Sequence, residues 1–310
     1  MSAHKRKIIP KKGSTPGIHR KKCCICGKPV CTDRAEYCLV CRDFAIRMSV
    51  ERLPQASIQD IWESVRKNGY VCFYTGMALD MSSPTSPWYG VLDHWIPGDN
   101  RKVVLTSALF NEMKSDLSEV EFWYYVEELY NFKKNGTPIR KKRVVYWQGL
   151  VGPGRGIYKE GPTPKIHGKK CCICRKPVCS NHSKYCSICR QFAAHMRVAR
   201  LPPLTVQSIW AYVRQHGYVC YYTGMALDMR HRKSPWYGVL DHWIPGDNKK
   251  VVLTSDLFNE MKSDLSEKEF WYYIEQLYHF KKNGTSIRKK RLVYWERLVL
   301  NLKPIISGII

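Results

Sequence analysis

The stretch WYGVLDHWIPGDN (88–100), followed by KVVLTSALFNEMKSDLS (102–118), decides how this chain reads. An apolar run ends on two polar residues, Asp93 and His94, and is followed by the turn residues Pro97, Gly98, Asp99 and Asn100. A second apolar run then leads into Asn111-x-x-Lys114. This pattern predicts a strand over Val91–Asp93, a loop, a strand over Val103–Leu105 and a helix capped by Ser107 and running through Lys114. On a strand, Asp93 and His94 point to opposite faces, so both can act at one place only if the strand ends there. Pro97 and Gly98 supply that end.

The same passage returns at 236–248 and 250–266. Asp93, His94, Asn111 and Lys114 recur 148 positions later as Asp241, His242, Asn259 and Lys262. The offset holds without a gap from His19/His167 to Trp147/Trp295, and each of the 14 Cys has its counterpart. So long a period is a domain duplication rather than a solenoid, and two similar halves about a pseudo-two-fold axis are expected. The predicted organisation is a basic arm (1–18), a first half (19–147), a Gly/Pro-rich linker (148–166), a second half (167–295) and an apolar tail (296–310).

Composition narrows the partners. Lys and Arg number 51 against 26 Asp and Glu, a net charge of +25. Such an excess opposes compaction unless a polyanion is the partner, which puts nucleic acid first and an anionic membrane second. No apolar run approaches the roughly 18 residues of a membrane span, and no secretory segment follows the N-terminus, so an intracellular location without membrane insertion is expected.

In that compartment Cys points to metal before disulfide. Cys23-x-x-Cys26 and Cys38-x-x-Cys41, repeated as Cys171, Cys174, Cys186 and Cys189, have the spacing of tetrahedral sulfur sites for structural zinc, two ions per chain. Cys24 reads as a buried thiol, and Cys31 as a possible substitute ligand. Ser57 is expected to cap the helix 58–69, with Gly69 as its stop. Tyr70–Tyr74 reads as a strand. Ser118 and Glu121 form a capping box for the helix that Gly136 ends. Thr137-Pro138 is expected to open a further helix. That helix carries Arg140, Lys141, Lys142 and Arg143, matched by Arg288, Lys289, Lys290 and Arg291, a candidate phosphate-contacting surface or else a solvated face. Trp123, Tyr124 and Tyr125 fall at helical spacing and read as core. The loop SSPTSP (82–87) becomes RHRKSP (230–235), a place where the halves can differ in preference.

A His suits proton abstraction near neutral pH, and Asp and Asn oxygens suit Mg²⁺. YVCFYTG, LDHWIP and VVLTSALFNEMKSDLS together resemble the HNH endonuclease motif of the ββα-metal type. The resemblance covers about 70–118 and 218–266. It implies a ββα nuclease core in each half, and with the Cys modules read from their spacing the expected fold is α+β, two tandem copies of a zinc-ribbon-like Cys module followed by that core with flanking helices. It implies that His94 and His242 act as general bases. Asp93 with Asn111, and Asp241 with Asn259, would be the Mg²⁺ ligands; the helical spacing, independently, puts Lys114 one turn from Asn111 and Lys262 one turn from Asn259, within reach of the phosphate. Asn100 and Asn248 are possible loop braces, displaced from the family's position, which Lys102 occupies. The core zinc of many such domains is missing, because Cys72-x-x-Thr75 lacks its second sulfur, and Cys72 reads as a buried thiol. The expected activity is a metal-dependent double-stranded DNA endonuclease. It would work as a monomeric pseudo-dimer cutting both strands of a near-palindromic site, in the manner of homing enzymes. A junction-resolving nuclease and a non-catalytic nucleic-acid-binding protein are the alternatives.

Overall fold

The computed structural model describes residues 21–32, 34–141, 144, 169–178, 180, 182–285, 287–289 and 292. The basic arm, the linker and the apolar tail lie outside them. The chain divides into two compact units, Met1–Gly69 and Tyr70–Ile310. Among the described residues are eight α-helices and two two-stranded antiparallel sheets, a mixed α and β composition. No described helix is long and apolar enough to cross a membrane.

The first unit is the first Cys module. Its opening knuckle closes where Cys23 N donates to Lys28 O at 2.8 Å and Gly27 N to Cys23 O at 3.0 Å. Cys38 is the N-cap of α1 (Leu39–Val50), so Cys38 and Cys41 sit on its first turn. α2 (Gln55–Asn68) follows and ends on Gly69, whose φ of 75° suits glycine. Pro54, rather than Ser57, is the N-cap of α2. Proline's fixed φ starts the helix early, and Ser57 becomes a buried residue of its first turn. Ile61, Trp62 and Val65 face inward, and Phe44 of α1 meets the Trp62 ring edge-on at 5.5 Å.

In the second unit the expected strand at 70–74 is instead a turn. Cys72 N donates to Met77 O at 2.8 Å and Gly76 N to Cys72 O at 2.8 Å. This is the hydrogen-bond pattern of the Cys23 knuckle, with Val71↔Ala78 in place of Lys22↔Pro29. β1 (Gly90–His94) and β2 (Val103–Ser107) pair antiparallel, with Asp93 opposite Val104 and His94 opposite Val103. β1 does end at His94. Ser107 caps α3 (Ala108–Lys114), accepting from Phe110 N. The Ser118–Glu121 capping box opens α4 (Glu119–Asn135), and Gly136 closes it in the left-handed conformation. The second Cys module adds α5 (Ser187–Val198) and α6 (Pro203–His216). β3 (Gly238–His242), β4 (Val251–Ser255), α7 (Asp256–Lys262) and α8 (Glu267–Asn283) then repeat the first half.

The two ββα halves share one hydrophobic core, and their contacts are reciprocal. Tyr125 meets Phe258 at 5.7 Å, and its counterpart Tyr273 meets Phe110 at 5.8 Å. Ser115 Oγ donates to Glu260 while Ser263 Oγ donates to Glu112. Tyr130 of α4 stacks on its own counterpart, Tyr278 of α8, at 3.8 Å and 8°. A residue touching its own counterpart marks the pseudo-two-fold axis. The segment after α4 crosses to the other half, where Ile139 N donates to Thr223 O at 3.0 Å. Gly224 has φ +66° and Phe132 and Pro138 against it, so a side chain there would be both strained and crowded. Residues 136–141 carry no regular secondary structure, so the helix expected from Thr137-Pro138 does not begin there. The Ile139 N–H is committed to the other half rather than to a helical turn.

Candidate functional sites

Four sulfurs from each Cys module converge. Those of Cys23, Cys26, Cys38 and Cys41 lie within 4.8 Å of one another, as do those of Cys171, Cys174, Cys186 and Cys189. Cys26 and Cys38 are 3.5 Å apart, as are Cys174 and Cys186. That is far beyond the ~2.05 Å of a disulfide and near the ~3.8 Å separation that four Zn–S bonds of ~2.3 Å impose on a tetrahedron. Burial raises the cost of a Cys23 thiolate, but backbone N–H groups of Cys26, Cys38 and Ile25 outweigh it, and the thiol falls to about 6. Cys171 behaves in the same way, also falling to about 6. Four sulfurs converging at near-tetrahedral spacing make both clusters fit for zinc. Cys24 is exposed rather than buried, since the knuckle turns its two ligand sulfurs inward and leaves the intervening one outside. Cys31 is also exposed and outside the cluster. Cys179 lies outside the described residues.

The Cys72 knuckle has no such cluster. Its sulfur is buried 3.2 Å from Thr106 Oγ1, and Cys220 pairs with Thr254 in the same way. Thr75 occupies the position of the second ligand and is itself fully buried.

At the end of β1 two neighbouring side chains part company. Asp93 is 5% exposed. Its Oδ1 accepts from Lys114 Nζ at 3.0 Å and its Oδ2 from the Tyr74 hydroxyl at 2.5 Å. Burial pushes the Asp93 carboxyl up, against the pull of Lys114 and Tyr74. The Tyr74 hydroxyl is pushed well above its ordinary range by burial and by that carboxylate. Lys114, 1% exposed, also donates to the backbone oxygen of His94 at 2.8 Å. It is therefore not a free cation reaching for a phosphate. It is the inner half of an ion pair that also pins the backbone of His94, and Lys262 does the same for Asp241 and His242.

His94 is half-buried, and its Nε2 lies 2.7 Å from Oδ1 of Asn100. An amide oxygen only accepts, so this contact calls for a proton on Nε2. His242 and Asn248 repeat the contact at 2.7 Å. Asn100 and Asn248 thus orient the histidine ring. In the second half the loop is tied further, since Thr205 of α6 donates to the backbone oxygen of Asn248 at 2.9 Å.

A cleft of about 680 Å³ brings Asp241, His242, Asn259 and Lys262 together. Asn111, Glu112, Ser115 and Asp116 of the first half form its other wall. Burial pushes the Glu112, Glu260 and Asp264 carboxyls up. A carboxylate and an amide oxygen on one wall are the hard donors that Mg²⁺ prefers, and each carboxylate oxygen can accept more than one partner. In both halves, however, the aspartate is 5% exposed and its two oxygens are already engaged by a lysine and a tyrosine.

The basic segments are partly engaged. Arg140 and Lys141 are exposed, with Lys141 Nζ 6.0 Å over the Trp236 ring. Lys289 Nζ lies 5.7 Å over the Trp88 ring and donates to Ala78 O. Arg288 is exposed. Lys142, Arg143, Lys290 and Arg291 lie outside the described residues. Tyr74 and Tyr222 hold the aspartates, a role that the sequence reading does not assign to them. Their place in the repeated YTG turn is the only local signal.

No protein-family model, no curated protein and no solved structure matches the chain.

Proposed function

We propose that the chain is a DNA endonuclease of the HNH type, with one catalytic centre in each half and a structural zinc in each Cys module. The observation that carries this reading is the His242–Asn248 pair opening on a cleft with Asp241 and Asn259, on a strand–strand–helix frame that the first half repeats. Asn248 holds Nε2 protonated, which leaves Nδ1 of His242 as the acceptor for a water proton. The water oxygen attacks phosphorus, the bond from phosphorus to one sugar oxygen breaks, and that oxygen leaves as a hydroxyl on taking a proton from solvent water. A divalent ion held by Asp241 and Asn259 would stabilise charge on the phosphoryl oxygens. Lys262 and Tyr222 fix the aspartate, and Lys262 also fixes the backbone of His242, so the pair is pre-positioned. The net charge of +25 supplies attraction to the phosphate backbone.

The neutralised aspartates favour a second reading, a zinc-containing nucleic-acid-binding protein without catalysis, in which each Asp–Lys pair is purely structural. A supercoiled-plasmid assay with Mg²⁺, run beside a filter-binding assay, separates the two. Nicked or linear product that disappears with a chelator supports the nuclease. Salt-sensitive binding without product under any divalent ion supports the binder.

A further inference from the structure

The loops that lead into β1 and β3 are built on one frame and carry different charge. Asp80 N donates to Trp88 O, and Asp80 Oδ1 accepts from the N–H groups of Ser82 and Ser83 at 2.9 and 3.2 Å. Asp228 N donates to Trp236 O, and Asp228 Oδ1 accepts from the N–H groups of Arg230 and His231 at 2.9 and 3.1 Å. On this frame the first half presents Ser82, Ser83, Pro84 and Thr85. The second presents Arg230, His231, Arg232 and Lys233, all exposed. Asp228 is committed to the loop's own N–H groups and to Nδ1 of His231 at 2.8 Å. Arg232 Nη2 donates to Nε2 of His195 on α5 at 3.2 Å. A guanidinium only donates, so His195 accepts through a lone pair, and the contact holds Arg232 without cancelling its charge. The first half has Pro84 at that place.

The segment after α4 adds to the same patch. Lys141, from the first half, has its Nζ 6.0 Å over the Trp236 ring and lies within electrostatic reach of Asp228, and Arg140 beside it is exposed. Arg140, Lys141, Arg230, Arg232 and Lys233 therefore gather around Trp236 and Asp228. At the matching place in the first half, Lys289 lies over Trp88 but meets an uncharged loop. Like charges so gathered repel one another in the folded chain, a cost that a polyanion relieves. We infer that this patch, made of a loop from the second half and a segment from the first, grips the phosphate backbone of duplex DNA. Its counterpart on the first half grips less, so the two halves hold their partner unequally. The inference rests on nucleic acid as the partner, which both functional readings share, and on no step of cleavage.

The test is fluorescence anisotropy of the whole chain on a labelled mixed-sequence DNA duplex, read as the slope of log K against log salt concentration. Arg230→Ser/His231→Ser/Arg232→Pro/Lys233→Thr gives the second loop the residues that the same frame carries in the first half. At about 0.9 of slope per phosphate contact, loss of the three cations should flatten the slope by roughly 2–3. The gentler Arg230→Gln/Lys233→Gln, which keeps the test open if the exchanged loop fails to fold, should flatten it by roughly 1–2. Ser82→Gln/Thr85→Gln, at the matching first-half positions, should leave the slope unchanged. An unchanged slope in the second-loop variants, or an equal fall in the first-loop variant, would overturn the inference while leaving nucleic acid as the partner. No salt-dependent binding by the unaltered chain would overturn both. Loop-dependent binding to phosphatidylserine vesicles, with none to DNA, would assign the patch to a membrane surface and overturn the inference as well.

Discussion

The turn at Cys23 and the turn at Cys72 have the same backbone and different fastenings. Both close through the same pair of backbone hydrogen bonds. The first presents two sulfurs toward two more at the start of α1, a cluster that could hold a metal ion. The second presents one sulfur to a threonine hydroxyl, and its stability comes from the packed core beside it and from the buried Tyr74–Asp93–Lys114 cluster. Of the two, the knuckle closed without metal is the one that leads into the candidate catalytic strand.

Removing metal should separate the two fastenings most widely. Elemental analysis should find two zinc ions per chain. A strong chelator should abolish protection of α1 and α5 in hydrogen exchange, because apparent zinc-binding energies of about 10–16 kcal/mol are folding energy in such modules. The hairpins β1–β2 and β3–β4 should keep their protection, and loss of both together would break the comparison. Next in size is Lys114→Ala. It strands the buried Asp93 carboxylate and should cost about 3–5 kcal/mol by denaturant titration. Lys114→Arg, which keeps a charge, should recover part of that. An unchanged midpoint for Lys114→Ala would show that the ion pair does not fasten this turn. Cys72→Ala removes only the sulfur–hydroxyl contact and its packing, and should cost about 1 kcal/mol. A cost as large as that of Cys41→Ala would mean the second knuckle depends on its sulfur as the first does.

The smallest effect belongs to the cleft. Glu112 and Glu260 are shifted up by burial, so each contributes stability that is fully present below the ordinary glutamate range and lost as pH rises through the raised value. Glu112→Gln keeps the acceptor for Ser263. It should therefore stabilise the two-half core slightly at pH 7, by a few tenths of a kcal/mol, since the side chain stays exposed on its outer face. The gain should vanish near pH 4, and a gain that grows on acidification would reverse the assigned sign.

Much of this was legible along the chain because it is local. Cys-x-x-Cys spacing, the Ser118–Glu121 box, the apolar runs of the hairpin and Gly136 each act within a few residues. The failures involve partners far away in sequence. Lys114 read as a free cation because nothing near it in sequence shows that Asp93, 21 positions earlier, fills its reach. The segment after Gly136 read as a helix because its commitment to Thr223 is invisible until the halves are brought together. Tyr70–Tyr74 has strand-like composition, but closure on Met77 converts it to a turn. The duplication is plain, yet the shared core follows from the aromatic residues of α4 and α8 meeting across the axis.

The most direct test of the proposed chemistry compares the chain with His94→Ala, His242→Ala and the double variant on supercoiled plasmid with Mg²⁺. The account predicts linear product from the unaltered chain, nicked circles from each single variant, and a loss of at least about 100-fold in cleavage from the double variant with DNA binding retained. Cleavage by the double variant at the unaltered rate would contradict it.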